Sequence, residues 1–386
     1  MIPYGRQDIT QQDIDSVIEV LQSDFITQGP KVPAFEEALA TYCNTQHGIA
    51  TNSATSALHI ACIALGLKQG DHAWTTPITF VASANCILYC GAHIDFVDIN
   101  PETYNLCPNA LEEKLQKAKQ DGCLPKVIIA VHLCGQSCDM KAIYKLSQEY
   151  GFKIIEDASH AIGGSYEGKP IGNCQYSDIT IFSFHPVKII TTAEGGIALT
   201  NSLELKERMV RYRSHGITTN QEIMETRTDE EIWNYQQIDI GFNYRMTDLQ
   251  AALGLSQLER LDEYINIRHD IANKYQQLLD KTPIILPKQK TNTRSSFHLY
   301  PIRIRQSLCG KDQKQIYNKL REASIGVNLH YIPVYLQPYY EKFGFKRGYC
   351  PNAEAYFREA ISIPMYPTLA EDQQRTIVNE LHKALR

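Results

Sequence analysis

The stretch SFHPVKIITTAEGG, residues 183–196, decides how this chain is read. The apolar run DITIFSF (178–184) leads into it and a second apolar run, GGIALT (195–200), leads out. The connection between them carries no helical pattern, so the two runs are expected to form an antiparallel pair or to enclose a functional loop. Lys188 lies in that connection, beside His185, Pro186 and Thr192. Lysine ordinarily keeps its ammonium in open water. Here it sits in an apolar, Gly-rich connection between two strand-like runs.

Five similar runs precede this one: HGIATNS (47–53), HAWTTPIT (72–79), HIDFVDI (93–99), KVIIAVHL (126–133) and FKIIEDAS (152–159). Most are rich in Val and Ile and do not alternate strictly, as suits strands buried on both faces of a mostly parallel sheet. Helical patterns fill the gaps, among them SATSALHIACIALGL (53–67), PNALEEKLQKAKQDG (108–122) and DMKAIYKLSQEYG (139–151), the last two ending at glycine. The expected fold class is therefore α/β, with a seven-stranded, mostly parallel sheet sandwiched by helices. Residues 246–280 read as one long helix and TPIILPKQKTNTRSS (282–296) as a hinge, followed by a smaller α+β unit. The expected division is 1–255 for a large domain with an N-terminal arm, and 256–386 for a small C-terminal domain.

With 38 basic and 43 acidic residues the net charge is −5, which gives no electrostatic reason to expect nucleic acid or an anionic membrane as partner. No segment has the order of a signal peptide or the length of a membrane span, so a cytoplasmic protein is expected. The eleven cysteines are odd in number and match no zinc or redox spacing; they read as reduced, mostly buried small hydrophobes, and no metal is expected.

Three further features bear on chemistry. GGSYEGK (163–169) has the spacing of a phosphate-binding loop, but Pro170 stands where a hydroxyl is needed and no helix follows; a surface hairpin is expected. Glu156 and Asp157 end a strand, and alternation lets only one of them face a given side. Asp157 could face a ligand, or merely cap a helix over ASHAIGG. TNSATSALHIA (51–61) opens a helix with small residues, which suits either an anion at the helix N-terminus or ordinary capping by Ser53. Taken together, a helix N-terminus for a phosphate, a carboxylate for a basic ring atom, a flat contact such as Phe80 and a lysine ask for pyridoxal phosphate.

At this point the chain resembles a family. ITQGPKVPAFEEALA (26–40), DASHAIG (157–163), SFHPVKIITTAEGG, RSHGI (213–217), GFNYRMTDLQAALGLSQL (241–258), NLHYIPVYLQPYY (328–340) and SIPMYPTL (362–369) are similar, in order, to the DegT/DnrJ/EryC/StrS sugar aminotransferases of fold type I. By that resemblance Lys188 carries the cofactor covalently, Asp157 partners the pyridine nitrogen and His160 lies near the ring hydroxyl. Ala54, Thr55 and Ser183 hold the phosphate, Phe80 stacks on the ring, and Asn243 reaches the phosphate of the neighbouring subunit in a homodimer. Tyr4, Thr27 and the segment Phe297, His298, Leu299, Tyr300 would hold a nucleotide-sugar. The resemblance is strongest to the pseudaminic acid branch, implying transfer of nitrogen from L-glutamate to a UDP-linked 4-keto-6-deoxy-hexosamine by ping-pong kinetics. Transaminases of the perosamine or aminoarabinose type are the alternative. A related sugar dehydratase, which has His at the lysine position, is disfavoured by Lys188, and a non-catalytic cofactor-binding regulator by the intact Lys188, Asp157 and Ser183.

Overall fold

The computed structural model describes residues 1–226 and 234–386. The seven runs form one sheet: β1 (His47–Thr51), β2 (His72–Thr75), β3 (His93–Phe96), β4 (Val127–Val131), β5 (Lys153–Asp157), β6 (Ile179–Ser183) and β7 (Gly196–Thr200), in the order β1-β7-β6-β5-β4-β2-β3. Strands β6, β5, β4, β2 and β3 run parallel, while β7 is antiparallel to both neighbours, with Ser183 opposite Gly196 and Thr51 opposite Gly196 on the other side. β4, β6 and β7 are buried along their whole length, which is why their sequences are continuous apolar runs rather than alternating ones. The parallel register aligns the ends of β5 and β6, so Asp157 and Ser183 emerge at the same sheet edge.

The expected helices are present, with Gly122 and Gly151 in the left-handed conformation closing the second and third of them. GGSYEGK forms a hairpin, Ser165–Tyr166 against Lys169–Pro170. ASHAIGG is a series of turns, so Asp157 caps no helix. The long helix expected over 246–280 is two, Asp248–Leu258 and Leu261–Leu279. The break has a physical cause. Asp13, fully buried, accepts hydrogen bonds from Ser256 Oγ (2.6 Å), Gln257 Nε2 (2.8 Å) and Arg260 Nη2 (2.7 Å). That buried ion pair clamps the end of one helix to the N-terminal helix Gln11–Leu21, and the apolar periodicity on either side cannot report it.

A second sheet, Ile284–Ile285, Tyr300–Ile304 and Ala360–Ile363, is antiparallel and has its own core, including Ile302, Ile316, Leu320, Ile361 and Leu381. Helix Leu261–Leu279 joins the two cores: Leu261, Tyr264 and Ile265 pack in the core of the large sheet, and Ile271, Tyr275 and Leu279 in that of the small one. The N-terminal arm crosses to the small sheet. Gly326 N donates to Ile2 O (2.6 Å) and Met365 N to Tyr4 O (3.0 Å).

Candidate active site

Three elements converge at the C-terminal edge of the large sheet. The first is the helix Ala54–Ala64, which starts three residues after β1 ends. Ser53 caps it by accepting from Ser56 N (3.1 Å). The cap leaves the amides of Ala54 and Thr55 without an intrahelical partner, facing a cavity both residues line. Ser53 thus caps the helix, and the cap does not use the two amides that the anion reading requires. Gly196 is required here, because a Cβ would overlap the backbone of Ala54.

The second element is the loop after β6. Thr192 N and Thr191 Oγ1 both donate to Phe184 O (3.0 and 2.9 Å), and Phe184 N donates to Gly195 O (2.9 Å). Ile189 and Ile190 are buried. The loop is thus pinned on both sides of Lys188, whose side chain lines the cavity. Burial lowers the amine's pKa to about 8, against the attraction of Asp157, which acts to raise it.

The third element is the end of β5, where the acidic pair splits as alternation requires. Glu156 turns away from the cavity to buried His132 (2.7 Å) and Ser177 (2.5 Å). Asp157 lines the cavity. Its Oδ1 accepts from Ser159 N (3.1 Å) and Ser159 Oγ (2.5 Å), and its Oδ2 from Ser83 Oγ (2.6 Å).

The cavity these elements surround measures about 680 Å³, within the range of small-molecule sites. Ala54, Thr55, Phe80, Asp157, His160, Ser183 and Lys188 all line it. Tyr4, His298, His330 and Tyr331 close it from the side of the small sheet. Of the segment Phe297–Tyr300, only His298 reaches it. Phe297 and Tyr300 belong to the small-sheet core and Leu299 is buried outside the cavity lining, because alternation and core packing turn them away. Of the four residues expected to hold substrate, only His298 lines the cavity. Arg268 holds this segment: fully buried, its Nη1 donates to the carbonyls of Phe297 (3.1 Å) and Met365 (3.1 Å). Thr27 and Asn243 are exposed and lie outside the cavity; Thr27 bridges to Thr247 and Asn243 to Ser214.

Sequence reasoning singled out neither His330 nor Tyr331, nor the serines that grip Asp157. The motif NLHYIPV was visible, but its histidine is indistinguishable in sequence from a core residue. In the fold, three imidazoles surround Lys188. Burial, and then the cationic charge of Lys188, pushes His160 well below the ordinary histidine range and His330 down to about 4; His298 is held low by burial, by His160 and by Lys188. All three are neutral near pH 7. The unfolded chain binds protons at these positions from about pH 6.5 downward while the folded protein resists them to about pH 4 at His330. Stability is therefore expected to fall as pH drops through this window, by up to ~1.4 kcal/mol per pH unit for each histidine. Thermal melts from pH 7 to 4 of the cofactor-free protein and of His330→Gln check this: the variant should show the shallower slope.

Among the described residues no group of His, Cys, Asp and Glu could hold a metal ion, and no helix is long and apolar enough to cross a membrane. Comparison with known proteins gives the family. Residues 7–382 match the model of the DegT/DnrJ/EryC1/StrS aminotransferase family. The UDP-4-amino-4,6-dideoxy-N-acetyl-β-L-altrosamine transaminase of Campylobacter jejuni is 39% identical over 95% of this chain and 93% of its own length. Helicobacter pylori PseC, an aminotransferase involved in the biosynthesis of pseudoaminic acid, superposes with a TM-score of 0.89 at 31% identity, covering 100% of this chain and 99% of that one. The sugar aminotransferase Spr1654 of Streptococcus pneumoniae, described as putative and solved in its PLP form, superposes at 0.88 with 29% identity, over 100% of this chain and 98% of that one. The chain belongs to the DegT/DnrJ/EryC1/StrS aminotransferase family and is a pyridoxal-phosphate-dependent sugar aminotransferase.

Proposed function

We propose that this enzyme transfers the amino group of L-glutamate to C4 of a UDP-linked 4-keto-6-deoxy-hexosamine, forming UDP-4-amino-4,6-dideoxy-N-acetyl-β-L-altrosamine. The observation that carries the reading is the convergence of Lys188, Asp157 and the open N-terminus of helix Ala54–Ala64 on one cavity. The donor set fits pyridoxal phosphate: two unpartnered amides and the Ser183 hydroxyl for the phosphate, a carboxylate for the ring nitrogen, the exposed ring of Phe80 for a flat contact and an amine for attachment. The substrate reading is supported by the name of the Campylobacter relative, whose match runs nearly end to end.

In this reading, Lys188 would hold the cofactor through Nζ, and its amine would move the proton on and off the reacting carbon. Its lowered pKa suits both tasks, since both need a neutral amine and burial brings its pKa to about 8. Asp157 holds a proton on the ring nitrogen. His160, kept neutral, can only offer a hydrogen bond rather than a charge near the ring hydroxyl. Tyr4 and His298 meet the sugar. The cofactor supplies the carbonyl that receives the amino group and the ring that takes up the electron pair. We also propose the division into domains near residue 255, with the cavity between the two sheets.

Incubation with L-glutamate and a panel of UDP- and dTDP-linked 4-keto-sugars, read by mass spectrometry, tests the substrate. The aminated UDP-linked altrosamine is the expected product. Amination of only another sugar of the panel, such as a dTDP-linked one, overturns the substrate while leaving the reaction class intact.

Asn243, exposed and off its own chain's cavity, is proposed to complete the site of the partner subunit in a homodimer. Lys188→Ala and Asn243→Ala should each be dead or weak alone. After subunit exchange, about half of the dimers are mixed and one site in each holds both native residues, so about a quarter of native activity is expected. Mixed dimers without recovery would assign Asn243 to its own chain or to no site.

A further inference from the structure

The hydrogen bonds around Asp157 reach further than the residues usually counted in such a site. A carboxylate has about four acceptor positions. Ser159 fills both on Oδ1, through its amide and its hydroxyl, and Ser83 fills one on Oδ2. One position on Oδ2 remains for a donor inside the cavity. Ser83 is itself 1% exposed and has a single proton, which at 2.6 Å is committed to Asp157. Its oxygen lies 2.7 Å from Thr79 Oγ1, so Thr79, also buried, must be the donor of that bond. The result is a directed chain, Thr79 to Ser83 to Asp157. It starts at the beginning of the turn that carries Phe80, passes through Ser83 in the first turn of helix Ala82–Tyr89 and ends on Asp157 at the end of β5. The segment 79–83 therefore fixes both the flat contact at Phe80 and the orientation of the carboxylate.

We infer that Ser83, oriented by Thr79, is a positioning residue for Asp157, and that it selects which oxygen of the carboxylate meets the ring nitrogen. This rests on the reading that Asp157 faces that nitrogen. Without Ser83 the carboxylate keeps only its Ser159 bonds and can rotate about χ2, carrying its free position off the nitrogen.

The test uses the holoenzyme loaded with cofactor labelled with ¹⁵N at the ring nitrogen, whose chemical shift reports protonation. Ser83→Ala should retain the cofactor and move the shift toward that of the unprotonated ring. It should slow both half-reactions about tenfold, on the scale of one hydrogen bond to a charged group, with KM little changed. Thr79→Ala, acting one bond further away, should move the shift less. Ser83→Thr, which restores the hydroxyl, should recover the native shift. Asp157→Asn is the control. If it moves the shift and Ser83→Ala, folded by its melting curve, does not, the positioning role is overturned. If neither moves it, the placement of Asp157 at the ring nitrogen fails instead. Should Ser83→Ala not fold, Thr79→Ala with a native shift and native rates in both half-reactions overturns the chain.

Discussion

Lys188→Arg is expected to abolish transamination, with a loss on the order of 10⁴-fold or more, the scale met when a residue that acts as nucleophile is removed. Arginine keeps the charge and most of the length, but its guanidinium does not deprotonate in proteins and cannot attach to a carbonyl. Nothing nearby can substitute. Among the described residues that line the cavity, Lys188 is the only lysine, and the loop that carries it is pinned by Phe184, Thr191 and Thr192 on either side. The physical reason for its reactivity is also local: burial brings the amine's pKa to about 8, so a sizeable neutral fraction exists where an exposed lysine would be almost wholly charged. Borohydride reduction of the native holoenzyme followed by peptide mapping should place the pyridoxyl adduct on Lys188. An adduct on any other lysine, or residual turnover in Lys188→Arg, would overturn the assignment. Reconstitution of cofactor-free enzyme should accelerate with pH and level off above about pH 8, following the neutral amine.

What the sequence disclosed and what it withheld divide along a physical line. All seven strands of the large sheet were legible, because strands buried on both faces must be continuous apolar runs; a short non-helical link between the last two left an antiparallel pair as one of two readings, and the pair is what forms. Lys188, Asp157 and the helix start near Ser53 stood out by their places at strand ends and a helix start, but the residues alone left Asp157 and the helix start open to ordinary capping. The break at Glu259 and Arg260 was not, because it depends on Asp13, a residue more than two hundred positions away in the chain. Nor was the fate of Phe297–Tyr300: the segment matches the motif throughout, yet only the packing of the small sheet decides that His298 faces the cavity while Tyr300 is buried in the core. Ser83 was hidden most thoroughly. A serine in TFVASAN is an unremarkable helix-start residue until β5 brings Asp157 to within 2.6 Å of it across seventy-four positions.

Asp157→Asn should retain cofactor at full stoichiometry and lose at least ~10² in kcat, the scale of one general acid–base contribution. The geometry makes the substitution worse than a simple loss of charge. Ser159 N can only donate, so the asparagine must keep its carbonyl oxygen at the Oδ1 position, where that amide lies 3.1 Å away. Its NH₂ group then takes the place of Oδ2, opposite the ring nitrogen. Two donors would face one another if the nitrogen kept its proton, so the ring is driven to its unprotonated form and can no longer take up the electron pair. Ser83 can turn its hydroxyl to accept, which preserves the fold. The neighbouring acid gives the contrast. Glu156→Gln touches no residue of the cavity but loses a buried pair with His132, and should cost on the order of 3 kcal/mol of stability while leaving kcat near native. Measuring kcat, cofactor content and melting temperature for both variants separates the two acids. A slow, fully loaded and stable Asp157→Asn beside an active but less stable Glu156→Gln is the expected pair. Near-native turnover in Asp157→Asn would reduce that residue to the maker of a turn, held there by Ser159 and Ser83.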